Sequence, residues 1–417
     1  MNCRIRTDIE KAARCAIDAV LPEQAVQRAL SGMQFPGRVF LIAVGKAAAR
    51  MAKAALSVPV TEGIVVSKYG HFDGPIRDYR CFEAGHPVPD ENSVAAAEAI
   101  WQLTADLQES DTVLFLLSGG GSALFEKPLI PLEELQNITA QLLACGADIT
   151  EINTIRKRLS AVKGGKFAAH CAPAAVEAVI LSDILGDPPD MIASGPISPD
   201  SSTCSQAAEI AAKYGLRLSR EAEACLKTET PKTLSRVHAQ VVGSVKELCT
   251  AAEKACREMG YDTVFLSDRL DCEAREAGRF LASILSSHAG DGRKMAFIAG
   301  GETVVHLTGR GLGGRNQELA LAACEGLRGL KCAALLSVGS DGTDGPTDAA
   351  GGYTDGFSFD ALREAGLDLH TVLQENDAYH ALKAIGGLIV TGPTGTNVND
   401  LCIGLLDPSA DEQENDA

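Results

Sequence analysis

Two cations stand alone in glycine-rich surroundings: Lys46 in "AVGKAAARMA" and Arg315 in "LTGRGLGGRNQELALAA". Each opens a helix-like run. A lysine so placed can neutralise a transferring phosphate. An arginine fork at a helix start fits a phosphoryl group or a carboxylate. Gly309, Gly311 and Gly314 also spell G-x-G-x-x-G between the β-like "TVVHL" and the helix-like "NQELALAA", the local grammar of a dinucleotide site. That reading needs a ribose-binding acid about 20 residues further on, at the end of the next strand. The count reaches Ala334, inside "KCAALLSV", and no Asp or Glu ends that strand before Asp341. Arg315 instead favours anion clamping. Nor is Gly45-Lys46 a Walker loop, because Phe40 stands where its upstream glycine belongs and Ala47 replaces Ser/Thr.

A third element is Ser118-Gly119-Gly120-Gly121-Ser122, which ends the apolar run "TVLFLL". Three glycines let the backbone approach a ligand closely and turn several N–H groups toward an oxyanion. Acidic loops follow two further strands. Asp183, Asp187 and Asp190 lie in "LSDILGDPPD", and Asp341, Asp344 and Asp348 in "SDGTDGPTDAAGG". Magnesium takes few carboxylates with phosphate oxygens and water, but the same spacing serves Asx turns and helix caps. The second loop is not a calcium loop: Thr343, Gly345 and Gly352 occupy its third, fifth and twelfth places. His86 in "GHPVPD" reads as a hydrogen bonder that fixes a turn. No G-x-S-x-G elbow occurs, which argues against an ordinary hydrolase.

These residues need strands to carry them. The runs "VFLIAV", "TVLFLL" and "VEAVIL" are continuously apolar and alternate with helical patterns, which predicts an α/β fold with a mainly parallel sheet covered on both faces. Two amphipathic helices are expected over residues 6–31. A chain of 417 residues exceeds one ordinary core. The pattern changes near residue 236, so a domain is expected over 1–236 and a second over 237–417, with the acidic end "DPSADEQENDA" frayed. The net charge of −17 opposes nucleic acid and anionic membranes as partners. The 13 cysteines are scattered with no C-x-x-C, as expected of reduced thiols in a cytoplasmic protein. The N-terminus does not read as a signal peptide, and no apolar run reaches the about 18 residues of a membrane span.

Taken in order, "AVGKAAARMA", "GHPVPDENS", "LLSGGGSALFEKP", "IRKRLSAVKGGKFA", "LSDILGDPPDMIASGPISPD", "GGETVVHLTGRGLGGRNQELAL", "GSDGTDGPTDAAGG" and "TGPTGTNVNDL" resemble the glycerate 2-kinases whose C-terminal part is the MOFRL domain. They cover residues from about 40 to 405. The resemblance implies two three-layer α/β/α domains, the first Rossmann-like, with the active site in the interdomain cleft. It implies phosphorylation of D-glycerate at the 2-hydroxyl by ATP, with Mg²⁺ or another divalent cation. Lys46 and Arg315 match the family's catalytic lysine and arginine. Ser118, Gly119, Gly120, Gly121, Ser122, Gly313 and Gly314 become phosphate- or substrate-binding candidates, and Asp183 and Asp341 metal candidates. Some members carry the label hydroxypyruvate reductase, so an NAD(P)H-dependent reductase is the alternative. Val245 stands where an asparagine is expected in many relatives. The sequence leaves open a choice between monomer and homodimer.

Overall fold

A computed structural model describes residues 3–410. They fall into two compact units, one of residues 22–242, the other of those before Pro22 and after Val242.

The first unit is built on six strands: β1 (Val39–Val44), β2 (Glu62–Lys68), β3 (Arg80–Ala84), β4 (Thr112–Leu117), β5 (Ala175–Leu181) and β6 (Val237–Gly243). Their order is β3-β2-β1-β4-β5-β6, and the first four pairings are parallel. Every residue of β1 and β4 is buried, as continuous apolar strands require in a sheet covered on both sides. Alternate residues serve opposite faces. Phe40, Ile42 and Val44 join a core with Ala96, Ala97 and Ile100 of the helix Glu91–Leu103. Val39, Leu41 and Ala43 join another with the helix Ala48–Ala54. Phe115 points into the first core, its ring centroid 5.3 Å from that of Phe167. Burying one such side chain stabilises the fold by about 1.5–3 kcal/mol.

The second unit carries β7 (Asp262–Leu270), β8 (Met295–Gly301), β9 (Ala333–Gly339), β10 (Gly351–Asp355), β11 (Leu388–Ile389) and β12 (Asp400–Leu406), in the order β11-β10-β9-β12-β8-β7. Only β7 and β8 run parallel among these pairings; β12 lies antiparallel between β8 and β9. The helices Ala274–His288 and Arg315–Leu327 cover one face, and Cys3–Ala19 and Val245–Glu258 pack on the other. Val245, where an asparagine was expected, is buried at the start of its helix.

One expectation needs correction, and one question the sequence leaves open, where the N-terminal helices pack, is answered. The boundary at 236/237 falls just before β6, which is hydrogen-bonded into the first sheet. As an edge strand its side chains are half-exposed, so its sequence lacks the apolar continuity of β1. The two N-terminal helices also part company. Cys3–Ala19 packs on Val245–Glu258 in the second unit, whereas Pro22–Leu30 packs on Ala48–Ala54 in the first. The end expected to fray lies, from residue 411 on, outside the described residues.

Candidate active site

In the first unit the candidate residues gather at the C-terminal ends of β1, β4 and β5, where ligands bind in open α/β sheets. β1 ends at Val44; Gly45 turns at φ +128, a conformation that side chains disfavour, and any Cβ there would overlap Ser118. The Lys46 amide then donates to the Gly119 carbonyl at 2.9 Å. The Ala47 amide donates to Ser118 Oγ at 3.0 Å. Ser118, expected at the ligand, thus clamps the Lys46 turn to the triple-glycine loop. Among the described residues the Lys46 ammonium makes no hydrogen bond or ion pair.

The loop is hemmed in on every side. A Cβ on Gly119 would overlap the Asp183 carboxylate. One on Gly120 would stand 3.0 Å from His86 Cδ2 and 3.4 Å from Lys46 Cγ. Gly121 faces Ala193. Ser122 Oγ lies 3.1 Å from Ser194 Oγ, which donates to Asn153 Oδ1 at 2.8 Å. With that proton committed, the Ser122 hydroxyl donates to Ser194 and keeps its lone pairs for a ligand. Gly119→Ala is therefore expected to displace Asp183 and lower kcat/KM by about 10²-fold. Steady-state kinetics on a variant with unchanged circular dichroism checks it.

Charge in this cluster is tuned by burial. Burial lifts the Asp183 carboxyl above its ordinary range, and the Lys46 charge opposes the rise. Burial also lowers the His86 imidazole, and the charges of Lys46, Lys68 and His71 lower it further. His86 is thus neutral at pH 7. Its depressed value means that the unfolded chain binds the proton more readily, so this contribution to stability is lost as pH falls below 6.5 and through the folded value. An NMR titration should place His86 below 6.5, and Lys46→Met should move it back toward 6.5. Spacing along the chain does not show this neighbourhood, because proximity to Gly120 arises only when the strands are laid side by side.

Asp187 and Asp190 diverge from Asp183. Asp190 pairs with Lys157 at 3.2 Å, and Asp187 sits at φ +52 in a turn. Among the described residues no three His, Cys, Asp or Glu side chains converge on a common point.

In the second unit Arg315 opens the helix Arg315–Leu327 and grips Asp400 with both arms, Nε to Oδ2 at 2.6 Å and Nη2 to Oδ1 at 3.1 Å. Glu302 stands 3.7 Å from Nη1. Burial alone would lower the guanidinium pKa, but the bond to Asp400 and its charge outweigh burial and raise it. Asp344 fills the start of this helix: its carboxylate accepts from the amides of Asn316 (3.2 Å) and Gln317 (2.9 Å). Burial pushes Asp344 up to about 6, with both amide bonds opposing. Gly314 has no Cβ because Asp344 lies against it, and Gly313 runs close to Ala378. Asp341 accepts from the amide of Thr343 at 2.9 Å, which makes it a turn-former, and the buried acid of this loop is Asp344.

The dinucleotide grammar of this stretch also dissolves. "TVVHL" is not a strand: β8 ends at Gly301, and Val304 and Leu307 are exposed. Gly309 and Gly311 are glycines because the backbone of Glu375 and Asp377 presses on them. Asn376 Oδ1 accepts from the amides of Thr308 (2.7 Å) and Gly309 (2.9 Å), which holds the loop against its own unit. These glycines serve packing between loops, not the approach of a pyrophosphate.

Glycine loops at the strand ends, a lysine with no partner among the described residues and a helix opened by a forked arginine are the features of this α/β protein. Residues 8–227 match the family described as Domain of unknown function (DUF4147), and residues 295–400 match the MOFRL family. The chain is 52% identical over 400 residues to the D-glycerate 2-kinase of Thermotoga maritima, spanning 94% of this chain and 96% of that one. It is 39% identical over 424 residues to the Glycerate 2-kinase of Pyrococcus horikoshii, spanning 94% and 95%. A crystal structure of a glycerate kinase from Thermotoga maritima, 50% identical, superposes with a TM-score of 0.93 over 97% of this chain and 99% of that one. The chain belongs to the glycerate kinase family.

Proposed function

We propose that this protein transfers the γ-phosphoryl group of ATP to the 2-hydroxyl of D-glycerate. The observation that carries the reading is Lys46, whose ammonium has no partner among the described residues while the amides of Lys46 and Ala47 hold its turn against the triple-glycine loop. The glycerate O2 attacks the γ-phosphorus, the bond from that phosphorus to the β,γ-bridging oxygen breaks, and ADP leaves. Negative charge spreads over the phosphoryl oxygens in the transition state, so the protein's task is to position and neutralise. Lys46 and Arg315 are the cations for that charge. The Gly119–Ser122 loop cradles phosphate or carboxylate. Neutral His86, beside Gly120, can take the hydroxyl proton, and the free lone pairs of Ser122 can accept it as a hydrogen bond.

A divalent cation fits this donor set in the manner usual with nucleotides, one or two carboxylates completed by phosphate oxygens and water. Asp183, half-buried beside Gly119, would hold it, with Asp341 as the second candidate. When bound, Mg²⁺ supplies positive charge to the phosphates. The described cysteines are all free thiols, in keeping with a cytoplasmic protein, and no helix of the described residues is long and apolar enough to cross a membrane.

Incubation with Mg-ATP should form ADP only when D-glycerate is added. Incubation with hydroxypyruvate and NADH should leave the NADH absorbance flat. ADP formation without glycerate, or rapid NADH oxidation, would overturn this reading.

A further inference from the structure

The helix Ile149–Leu159 and the loop after it carry five cations that are wholly or partly buried: Arg156, Lys157, Arg158, Lys163 and Lys166. A buried charge needs an opposite charge or several hydrogen bonds. Four of the five have them. Lys157 lies 3.2 Å from Asp190 and 3.1 Å from Asp200. Arg158 pairs with Asp200 at 3.7 Å and Glu229 at 3.3 Å. Lys163 pairs with Glu126 at 3.4 Å and also donates to the carbonyls of Ser122 and Phe125. Lys166 donates to the carbonyls of Lys157, Arg158 and Ser160, and burial lowers it to about 8, within reach of deprotonation.

Arg156 is the exception. Its Nη2 donates to the Ser122 carbonyl at 2.8 Å. Its Nε is buried without a partner, and among the described residues no carboxylate lies within ion-pair distance. The anion that acts on it, Glu126, is already taken by Lys163. A guanidinium cannot shed its proton to escape burial. Among the described residues Arg156 is therefore a buried cation with neither an ion-pair partner nor a full set of hydrogen bonds, set against Ser122 on the loop that Lys46, His86 and Asp183 flank at Gly119 and Gly120. The Ser122 hydroxyl cannot donate to an anion there, since its proton goes to Ser194.

We propose that Arg156 is a substrate-binding residue: its guanidinium receives an oxyanion of the reactants, either the glycerate carboxylate or a phosphate of ATP. The inference rests on the glycerate kinase reading, and it deepens that reading by naming the group that neutralises an anionic reactant beside Ser122. A charged hydrogen-bonding arm of this kind changes affinity by about 10- to 100-fold.

The test titrates D-glycerate and Mg-ATP separately into wild type and Arg156→Gln by calorimetry, with ADP formation assayed alongside. Glutamine keeps a polar, hydrogen-bonding end but carries no charge. Glycerate binding weakened about 10- to 100-fold with ATP unchanged identifies the carboxylate; the reverse identifies a phosphate. Equal binding of both reactants by variant and wild type overturns the proposal. A loss of kcat with both affinities intact also overturns it, leaving Arg156 a positioning residue for Ser122. If Arg156→Gln does not fold, Arg156→Met, uncharged and with a long side chain, gives the same comparison. Failure of wild type to form ADP from glycerate sinks the functional reading instead, a result separate from any difference between variant and wild type.

Discussion

Replacing Lys46 with alanine is expected to lower kcat by about 10³-fold or more while leaving the protein folded. The two halves of this expectation have separate grounds. Cations on a transferring phosphoryl group contribute rate by meeting charge that appears only in the transition state, so their loss falls on kcat rather than on substrate affinity. The fold does not need the ammonium. The turn at residue 46 is held by its main chain, through the Gly119 carbonyl and Ser118 Oγ, and the amine has no partner among the described residues. Thermal unfolding should therefore superpose on wild type while ADP formation nearly vanishes. Near-normal turnover by a folded variant would remove Lys46 from the mechanism.

Arg315→Ala is expected to be equally damaging to rate, about 10³-fold, and unlike Lys46→Ala it should also destabilise. Asp400 is only 5% exposed and loses both of its bonds to the guanidinium. Breaking a fully buried pair costs about 3–5 kcal/mol. The Arg315 side chain keeps 36% exposure, so screening brings the expected loss down to about 2–3 kcal/mol. Adding Asp400→Asn separates the two effects: the double variant should recover stability in urea unfolding without recovering activity. Recovery of both would make Arg315 a structural partner of Asp400 and nothing more.

Much of the first unit was legible because its strands are buried on both faces. "VFLIAV" and "TVLFLL", short apolar runs followed by glycine, read as central strands, and a glycine cluster after such a strand announces a close approach. The same physics hid β6, an edge strand whose half-exposed residues look like linker. The G-x-G-x-x-G pattern, already short of its ribose-binding acid in the sequence, is accounted for at Gly309 and Gly311 by the close backbone of Glu375 and Asp377 rather than by a cofactor. Spacing shows which residues share an element, not which elements become neighbours. His86 was therefore read only as a turn-fixing hydrogen bonder, and Arg156 was not singled out: the first matters because it stands beside Gly120, the second because Lys163 pairs with Glu126, and among the described residues Arg156 has no ion-pair partner of its own. Asp344 was named alongside Asp341, but only burial distinguishes the acid that caps the Arg315 helix from the one that shapes a turn.

The reaction itself is tested most directly by the proton spectrum, with and without phosphorus decoupling, of the product formed from D-glycerate and Mg-ATP. Phosphorus coupled to the single methine proton at carbon 2, one equivalent for each ADP released, is the predicted result. Coupling to the methylene protons at carbon 3, or ADP released with glycerate unchanged, would contradict it.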